Sequence, residues 1–538
     1  MRGNLNKSKQ TGVLPLIKKV GMFCRLSLDI LNKKGTCLML DRYIQVEQPV
    51  ADKEAYKGQA EVLKTRLRAL EQEIKAKKLP VIILFEGWGA SGKGYVISKT
   101  INCLDPRSYK VYSTVKATEA EKRMPLMYRF WDNIPEKGKL CIYDRSWYQE
   151  IVPAAIEDDV REEEIIERMN MTNVFERQLT DDGYLIIKFF LQIDRREQKR
   201  RFKKLLDSKA TNWRVTDLDL KRNRNYEKYF VEYDKMLEYT NTDYAPWTVI
   251  NSDNKYRTVC EVFKTIISAV DSKLLNKPLE IGEKPQRKVA KEIFTMATKP
   301  PLSLVKLDKT LSDDIYSEEL KKQQKRLAKL HQVLYARKLP VVICFEGWDA
   351  AGKGGTIRRI ASALDPRGFE AVPIAAPEPR ELNRHYLWRF WEHLPKTGHV
   401  VIFDRTWYGR VMVERIEGIT EEKRWRAAYQ EINEFENNLF ESGILVLKFW
   451  MHIDKDEQLR RFNDRMNTPE KRWKITDEDW RNRDKWDQYE TAVNEMLQKT
   501  STDFAPWHVI ENNDKKYGRI RTLNIINDTI EMWIEKHS

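Results

Sequence analysis

Cysteine is scarce in this chain, with six residues among 538 and no Cys-x-x-Cys pair. Such scattered cysteines exclude a zinc ribbon and a disulfide framework, and they favour a reducing compartment, the cytoplasm. Long hydrophobic runs are missing as well, because no apolar stretch approaches the roughly 20 residues of a membrane span. Residues 12–31 are apolar but carry four charged side chains, and no small-residue cleavage site follows them. We therefore expect a protein that is neither secreted nor inserted in a membrane.

An excess of acidic residues is also missing. Lysine and arginine number 96 against 81 aspartate and glutamate, which gives a formal net charge of +15. This charge favours an anionic partner: a phosphate-rich ligand, a nucleic acid or an acidic lipid. Hydrophobic residues at 41% and charged residues at 33% are typical of a soluble chain with sizeable cores. A length of 538 residues exceeds one ordinary core, so we predict two domains.

The chain contains a large internal duplication. Residues 79–88 reappear as residues 339–348, an offset of 260 residues (339 minus 79), and this register continues almost without gaps. A repeat of this length predicts two copies of one domain and not a solenoid. The matched landmarks are Lys93 with Lys353, Asp105 with Asp365, Trp131 with Trp391, Asp144 with Asp404, Asp194 with Asp454 and Trp247 with Trp507.

We assign the two copies to residues 53–275 and 313–538. Between them, residues 276–312 contain four prolines among lysine, serine and threonine, a composition typical of a linker. Residues 1–52 are interpreted as a basic N-terminal extension that is partly disordered.

Strands and helices alternate within each copy. In the second copy, leucines at helical spacing predict an amphipathic helix over residues 320–334, and the apolar run 341–345 predicts a buried strand. Further buried strands are predicted at residues 400–403, 444–453 and 507–510. This alternation predicts an α/β fold with a parallel sheet covered on both faces. Residues 454–497, which we call the lid segment, are charged and helical in pattern, with an interruption near Pro469.

Residues 347–353 match the phosphate-loop pattern G-x-x-x-x-G-K, directly after a predicted strand and before a predicted helix. We call them the phosphate loop. The backbone N–H groups of such a loop surround phosphate oxygens, and Lys353 adds a positive charge. The alternative is a glycine-rich turn that only packs. Gly354 stands where serine or threonine normally supplies a hydroxyl to magnesium, so another ligand is needed.

Two carboxylates are candidates for that ligand. Asp349 lies inside the phosphate loop, and Asp404 ends the predicted strand 400–403. An apolar strand that ends in aspartate is typical of a carboxylate that holds magnesium directly or through water. Taken alone, Asp404 could equally cap a helix or pair with Arg405.

Arginines are concentrated near this carboxylate and in the lid segment. Arg405 and Arg410 flank Tyr408, and paired guanidinium groups can bind several phosphate oxygens at once. The lid segment carries eight lysines and arginines within residues 460–483, which suits a ligand with many phosphates, although a solvated face is the alternative. Arg380, Arg384 and Arg389 are predicted to share a helix with Trp388 and Trp391, and these aromatics are interpreted as core.

In combination, these motifs resemble the family-2 polyphosphate kinases. The resemblance is carried by the string Glu346 to Gly355, by Asp404-Arg405-Thr406-Trp407-Tyr408-Gly409-Arg410 and by Arg472-Trp473-Lys474. It covers both repeats from about residue 53 to the end. What it implies is two tandem P-loop kinase-like domains, each a three-layer α/β/α core with a helical lid.

The resemblance also implies roles for individual residues. Asp349 and Asp404 would bind Mg²⁺, while Lys353 and Arg405 would bind phosphates together with the loop glycines. Arg410 and Glu414 would assist transfer or nucleotide binding, and Arg472 and Lys474 would approach phosphate from the lid segment. The loop glycines in this prediction are Gly347, Gly352 and Gly354.

Two-copy members of this family resemble polyphosphate:AMP phosphotransferases, which make ADP from AMP and inorganic polyphosphate. We keep three alternatives: a polyphosphate kinase that acts on nucleoside diphosphates, an ATP-dependent nucleoside monophosphate kinase and, more distantly, a nucleic-acid-binding protein. The third is disfavoured because the basic residues are interleaved with acidic ones and no nucleic-acid-binding motif is present. The resemblance implies a cytoplasmic enzyme without membrane or nucleic-acid partners, and self-association is common in the family.

The two copies are predicted to be unequal. At the offset of 260 residues the first copy retains Lys93, Asp144 and Arg145, but four of the site residues are changed. Without one carboxylate and two phosphate-facing charges, the first copy is predicted to bind phosphate weakly, and the second copy is predicted to carry the reaction. The changes are Asp349 to Gly89, Arg410 to Glu150, Glu414 to Ala154 and Arg472 to Asn212.

Overall fold

The computed structural model describes residues 39–43, 53–282, 284 and 292–537. Most of the predicted N-terminal extension and part of the predicted linker lie outside these ranges. The described residues divide into two compact units: unit 1 holds those before residue 115 and those in the range 138–289, and unit 2 holds residues 115–137 and those from 290 onward. Within the described ranges, no helix is long and apolar enough to cross a membrane.

Unit 1 is built on a five-stranded sheet whose strands are β1 (Val81–Gly87), β2 (Tyr109–Ser113), β3 (Leu140–Asp144), β4 (Leu185–Gln192) and β5 (Trp247–Asn251). Neighbouring strands are parallel, in the order β2-β3-β1-β4-β5. The central strands β1 and β4 are apolar and buried throughout, because helices cover both faces. The α-helices are Lys53–Ala76, Lys93–Ile101, Val152–Glu157, Glu162–Asp181, Arg195–Leu206, Asp217–Arg224, Tyr226–Thr240 and Lys255–Leu274.

Unit 2 repeats this architecture with the strands β6 (Val341–Gly347), β7 (Phe369–Pro373), β8 (Val400–Asp404), β9 (Leu445–His452) and β10 (Trp507–Glu511). The order is β7-β8-β6-β9-β10, again all parallel. The predicted α/β fold with parallel sheets is therefore confirmed. The α-helices are Tyr128–Trp131, Asp313–Arg337, Lys353–Ala361, Pro379–Leu382, Trp388–Trp391, Val413–Ile416, Glu422–Glu441, Lys455–Asn467, Asp477–Asp484, Trp486–Thr500 and Lys515–Lys536.

The strand register of unit 2 brings the candidate site residues together at the carboxyl ends of the strands. Strand β6 lies between β8 and β9, and Phe345 pairs with Asp404 while Gly347 pairs with Met451. The phosphate loop leaves the carboxyl end of β6, and Asp404 is the last residue of β8. Ligands of open parallel sheets bind outside the carboxyl ends of the strands, and the fold brings the loop and Asp404 together there.

Some local predictions are wrong. The edge strands β2 and β7 were not predicted, because most of their side chains are exposed and lack an apolar run. The single helix predicted to carry Arg380, Arg384 and Arg389 is two short helices, Pro379–Leu382 and Trp388–Trp391, and Arg384 lies between them.

Part of the proline-rich stretch is fixed on unit 2. Leu302 is fully buried, and its N–H donates to Asn494 Oδ1 at 2.9 Å. The N–H of Ala297 donates to the carbonyl of Ser501 at 2.6 Å. Residues 292–312 therefore follow the surface of unit 2 through specific contacts, although their composition resembles that of a flexible linker.

A segment of the first repeat belongs to unit 2. Residues 115–137 form backbone hydrogen bonds there: the N–H of Lys137 donates to Asn383 O, and the N–H of Thr397 donates to Arg123 O, both at 2.8 Å. The ring of Trp131 stacks on Trp391 with centroids 5.6 Å apart. Trp391 is a core residue, as predicted, but part of its packing partner comes from the other repeat.

A charged pair is buried under the unit 2 sheet. Lys448 of β9 donates to Glu436 Oε2 at 2.6 Å, and both side chains have no solvent exposure. Burial lowers the pKa of Lys448 and raises the pKa of Glu436. Glu436 also accepts hydrogen bonds from Trp407 Nε1 and Tyr408 Oη. The pair therefore anchors the stretch that follows Asp404 and Arg405, because a buried charge must be satisfied by partners.

Candidate phosphoryl-transfer site

The phosphate loop has a backbone shape that requires glycine at two positions. Gly347 has φ 148°, and a Cβ there would lie 2.5 Å from the carbonyl oxygen of Met451. Gly352 has φ 105° and caps the helix Lys353–Ala361. Because glycine alone adopts such angles without strain, the loop can turn sharply and aim the first N–H groups of the helix at its centre. This is the geometry of an anion-binding helix N-terminus.

A buried arginine of the lid segment binds the backbone carbonyls of the loop. Arg461 is 2% exposed and donates to the carbonyl oxygens of Ala350 at 3.0 Å and Ala351 at 2.9 Å. It also donates to Asn512 O and Asn513 O, and burial lowers its pKa. These carbonyls and Glu457 occupy the donors of Arg461, so this lid cation supports the loop backbone.

Lys353 lies over the inside of the loop. Its Nζ donates to Gly347 O at 2.7 Å and to Trp348 O at 3.3 Å. Beneath it lies Glu346, which is buried and accepts two hydrogen bonds of 2.7 Å on Oε1, from the N–H and the hydroxyl of Thr406. Burial raises the pKa of Glu346 to about 7, against an ordinary value of 4.5. This carboxyl group therefore ties the phosphate loop to the residue after Arg405.

The raised pKa of Glu346 predicts a specific pH dependence of stability. Between pH 4.5 and about 7 the unfolded chain loses this proton before the folded chain does, so stability falls as pH rises through this window. Glu346→Gln keeps the accepting Oε1 but cannot ionise. We expect the urea unfolding midpoint of the variant, measured relative to that of the wild type, to increase from pH 5 to pH 8. A difference that is constant with pH would contradict this assignment.

Asp349, Asp404 and Arg405 meet at the mouth of the loop. Asp349 Oδ2 accepts a hydrogen bond from Asn482 Nδ2 at 2.9 Å, and Asp349 Oδ1 lies 3.7 Å from a guanidinium nitrogen of Arg405. Arg405 adopts φ 68°, a left-handed conformation that is uncommon outside glycine and concentrates at functional sites. Its N–H donates to Phe345 O at 3.0 Å, which fixes this turn beside β6.

These groups line a cavity of about 540 Å³. One wall is the phosphate loop with the start of the next helix, which contributes Asp349, Gly352, Lys353 and Gly354. The opposite walls come from Asp404 and Arg405 and from the lid segment. The lid residues that line the cavity are Arg465, Thr476, Glu478, Asp479 and Asn482. Positive and negative groups therefore face each other across a space large enough for several phosphates.

Arg410 and Glu414 lie beside this cavity and not in its wall. Arg410 pairs with Glu414 at 2.8 Å, and both contact the hydroxyl of Thr420. The neighbouring residues Gly409 and Met412 line a smaller cavity of about 80 Å³ that shares Asp349, Lys353 and Arg405 with the larger one. The structure therefore brings Arg410 and Glu414 next to the loop, as a pair.

Arg472 is not brought to the cavity. Its side chain is exposed, and its Nε donates to Met466 O at 2.7 Å. The side chain of Lys474 lies outside the described residues. Among the lid cations whose side chains the structure describes, Arg465 lines the cavity.

Sequence reasoning did not identify Asn482 as a site residue. Asn482 contacts Asp349 directly, and Tyr489 Oη donates to Asn482 Oδ1 at 3.2 Å. Neither residue carries a charge, and neither belongs to a recognised motif. The signal that could have found Asn482 is its counterpart in the first repeat, Arg222, because this change of residue type accompanies the change from Asp349 to Gly89.

The counterpart of the smaller cavity is almost filled in unit 1. The loop that follows β1 borders a cavity of about 10 Å³, whereas the matching residues of unit 2 border about 80 Å³. A Cβ on Gly89 would lie 3.1 Å from Asp219 Oδ1 and 3.2 Å from Phe202 Cζ, so the counterpart of the lid segment leaves no room for a carboxylate. Lys93 is buried, with its pKa lowered to about 8 mainly by desolvation.

A parallel sheet with a glycine-capped phosphate loop, a strand-end aspartate and a helical lid segment defines a P-loop phosphotransferase. The sequence profile of polyphosphate kinase 2 (PPK2) matches residues 50–278 and again residues 310–538. The chain therefore belongs to the polyphosphate kinase 2 family and is an enzyme of that family.

Similar proteins cover most of the chain. A polyphosphate:AMP phosphotransferase of Pseudomonas aeruginosa is 40% identical over 487 residues, which is 90% of this chain and 97% of the relative. A protein of the same name from Acinetobacter johnsonii is 35% identical over 457 residues, 83% of this chain and 90% of the relative. The crystal structure of a polyphosphate kinase 2 from Pseudomonas aeruginosa superposes with a TM-score of 0.81 at 38% identity, covering 93% of this chain and all of that one.

Proposed function

We propose that this enzyme transfers the terminal phosphoryl group of inorganic polyphosphate to AMP, which yields ADP, and that unit 2 carries the reaction. The observation that carries the proposal is the cavity of about 540 Å³ where Asp349, Lys353, Asp404 and Arg405 meet. Relatives named polyphosphate:AMP phosphotransferase over most of the chain support this choice of donor and acceptor.

Magnesium is the proposed cofactor, and the donor set at the cavity fits it. Mg²⁺ prefers oxygen ligands and is usually bound through one or two carboxylates, with substrate phosphates and water completing its shell. Asp349 and Asp404 both line the cavity, and Gly354 supplies no hydroxyl. Bound there, the ion would neutralise phosphate charge during transfer. The two carboxylates would hold it, and Asn482 would orient Asp349 through its hydrogen bond.

The chain's own groups would align the donor and stabilise the charge of the transition state. The loop N–H groups and Lys353 would bind oxygens of the terminal phosphates, and Arg405 would approach the same oxygens from the end of β8. Because the transferred phosphoryl group spreads negative charge over its oxygens, positioned cations accelerate the reaction without a protein nucleophile. No covalent intermediate on cysteine or serine is expected.

The lid segment would exclude water from the transferring group. Trp486 of the lid segment stacks on Trp348 of the loop with centroids 3.7 Å apart. Asn482 and Tyr489 continue this contact over Asp349. Excluding water would favour transfer to the acceptor over hydrolysis of the polymer.

Unit 1 is proposed to be inactive in transfer. The cavity beside its loop is about 10 Å³, against about 80 Å³ for the matching cavity of unit 2. Arg222, at the position of Asn482, pairs with Glu157 at 2.6 Å. Leu205 replaces Arg465, a lid cation that lines the larger cavity of unit 2. Phosphate would therefore not find the matching charges there.

A second candidate acceptor is a nucleoside diphosphate. A relative named AMP/ADP-polyphosphate phosphotransferase from Meiothermus ruber is 38% identical over 215 residues, 40% of this chain and 80% of the relative. Separate assays with AMP and with ADP as acceptor would separate the two. We also propose a cytoplasmic location, in keeping with buried free thiols at Cys103, Cys141, Cys260 and Cys344. Self-association stays a prediction.

The donor preference tests the proposal. With AMP as acceptor, we expect ADP to form from long-chain polyphosphate faster than from ATP, by about tenfold or more in kcat/KM. Because binding of the polymer would displace many counterions, the apparent KM for polyphosphate should rise steeply with salt. ADP would be followed by chromatography, with DNA and RNA added as competitors. Equal rates with ATP would favour an ATP-dependent nucleoside monophosphate kinase. Strong competition by DNA or RNA would favour a nucleic-acid-binding protein.

A further inference from the structure

The guanidinium of Arg410 rests on the ring of Tyr386. The guanidinium carbon lies 4.3 Å from the ring centroid, within the range of a cation–π interaction. On its other side Arg410 is held by Glu414 and by the hydroxyl of Thr420. Arg410 is therefore fixed by a carboxylate, a hydroxyl and an aromatic face, next to the phosphate loop.

Tyr386 contributes its ring and not its hydroxyl. The hydroxyl is buried close to the carboxylate of Glu431, and burial together with this carboxylate raises the pKa of Tyr386 well above its ordinary value. The group that Arg410 contacts is the ring.

A buried polar layer supports Tyr386. Glu431 Oε1 accepts a hydrogen bond from Arg424 at 3.2 Å, and Glu431 Oε2 lies 3.8 Å from Nε2 of His385, the residue before Tyr386. Glu431 and His385 are buried, and burial together with the two nearby arginines holds the pKa of His385 well below its ordinary value. The layer thus places a neutral imidazole beside Tyr386.

This layer is present only in the repeat that carries Arg410. At the offset of 260 residues every member has a counterpart of different chemistry, whereas the apolar framework beside it is retained, as Phe130 with Phe390 and Trp131 with Trp391. The changes are His385 to Pro125, Tyr386 to Leu126, Arg410 to Glu150, Arg424 to Glu164 and Glu431 to Met171. A layer needed only for folding would not be expected to vanish together with Arg410.

We propose that Tyr386 is a positioning residue for Arg410, and that its ring face fixes the orientation of this guanidinium beside the transferring phosphate. The inference rests on the proposed function, because it assumes that Arg410 acts in phosphoryl transfer or in acceptor binding. It extends that function by one residue that does not touch the substrate cavity itself.

The test is a double-mutant cycle in the full-length enzyme, with ADP formation from AMP and polyphosphate as readout. Tyr386→Leu, which installs the residue of the first repeat, should lower kcat/KM by about thirtyfold, the loss of one desolvated cation–π contact. Tyr386→Phe, which keeps the ring, should stay within about twofold of wild type. In the Arg410→Ala background, Tyr386→Leu should have no further effect on kcat/KM. As a single variant, Tyr386→Leu should change the same parameter, kcat or KM, that Arg410→Ala changes.

Controls separate positioning from folding. Tyr429 is a buried tyrosine of unit 2 whose hydroxyl accepts a hydrogen bond from Arg415 at 3.1 Å, away from the cavity. Tyr429→Leu should lower thermal stability while kcat/KM of the folded enzyme stays near wild type. If Tyr386→Leu fails to fold, Tyr386→Met fills the volume without a ring and should show the same loss.

Three outcomes would overturn the proposal: full activity of the folded leucine or methionine variant, equal losses in Tyr386→Phe and Tyr386→Leu, or losses that multiply with Arg410→Ala. Failure of the proposed function would look different, since the wild type itself would then make no ADP from polyphosphate, or Arg410→Ala alone would be fully active.

Discussion

Lys353→Met should reduce ADP formation by about a thousandfold, whereas the matched change Lys93→Met should leave activity within about twofold of wild type. Methionine keeps the apolar stem of each lysine and removes only the charge and its donors. Lys353 borders the cavity of about 540 Å³, in which phosphates would meet it, while Lys93 is buried in a repeat whose loop has Gly89 in place of Asp349. The two lysines occupy the same motif, so the difference would come from their surroundings.

The measurement is initial rate with AMP and polyphosphate, accompanied by circular dichroism and thermal melting for each variant. Lys93 donates to Gly87 O and Trp88 O, so its replacement can lower stability without touching the reaction. If folded Lys93→Met loses activity in proportion to Lys353→Met, unit 1 takes part in transfer and the inactive-copy proposal has to be abandoned.

Asp349→Asn and Asp404→Asn should each lower turnover by orders of magnitude, about a thousandfold, with the fold retained. Asparagine has nearly the shape of aspartate but no negative charge, and it therefore binds Mg²⁺ poorly. Asp349 and Asp404 are the proposed magnesium ligands, since Gly354 offers no hydroxyl. The matched control is Asp144→Asn at the end of β3, the counterpart of Asp404, which should leave the rate near wild type.

Magnesium titrations make this prediction specific. Each site variant should need more Mg²⁺ to reach half its maximal rate, while the control keeps the wild-type requirement. Full activity of either site variant at ordinary Mg²⁺ would show that the ion arrives bound to the substrates without help from that carboxylate.

The sequence allowed the strands and the phosphate loop to be predicted because both rest on local patterns. Strand β6 is an apolar run between Pro340 and Gly347, and burial on both faces of a parallel sheet selects such runs. The loop glycines are dictated by backbone angles that other residues avoid. By contrast, the short strand Phe369–Pro373 has mostly exposed side chains and depends on pairing with β8, which no local pattern reveals.

The site was only partly predictable, for the same reason. Charge and motif identified Asp349, Lys353, Asp404 and Arg405 as neighbours of the loop, and the structure places them around one cavity. Pattern could not distinguish Arg461, whose donors hold loop carbonyls, from Arg465, which lines the cavity. That distinction depends on which face of the helix Lys455–Asn467 turns towards the sheet. Lys448 likewise interrupts an apolar strand, and its partner Glu436 lies on the preceding helix Glu422–Glu441, 12 residues away.

Residues 115–137 come from the first repeat in sequence but from unit 2 in space. Unit 2 is therefore not autonomous: it is completed by a stretch that ends 153 residues (290 minus 137) before its main body begins, much as in domain-swapped proteins. Deletion of the first repeat would remove the stacking partner Trp131 from Trp391 and leave the backbone groups of Asn383 and Thr397 without their hydrogen bonds. The boundaries of the sequence repeat and of the folded unit therefore differ, and this dependence gives a physical reason for the first repeat to persist even if, as proposed, it does not catalyse transfer.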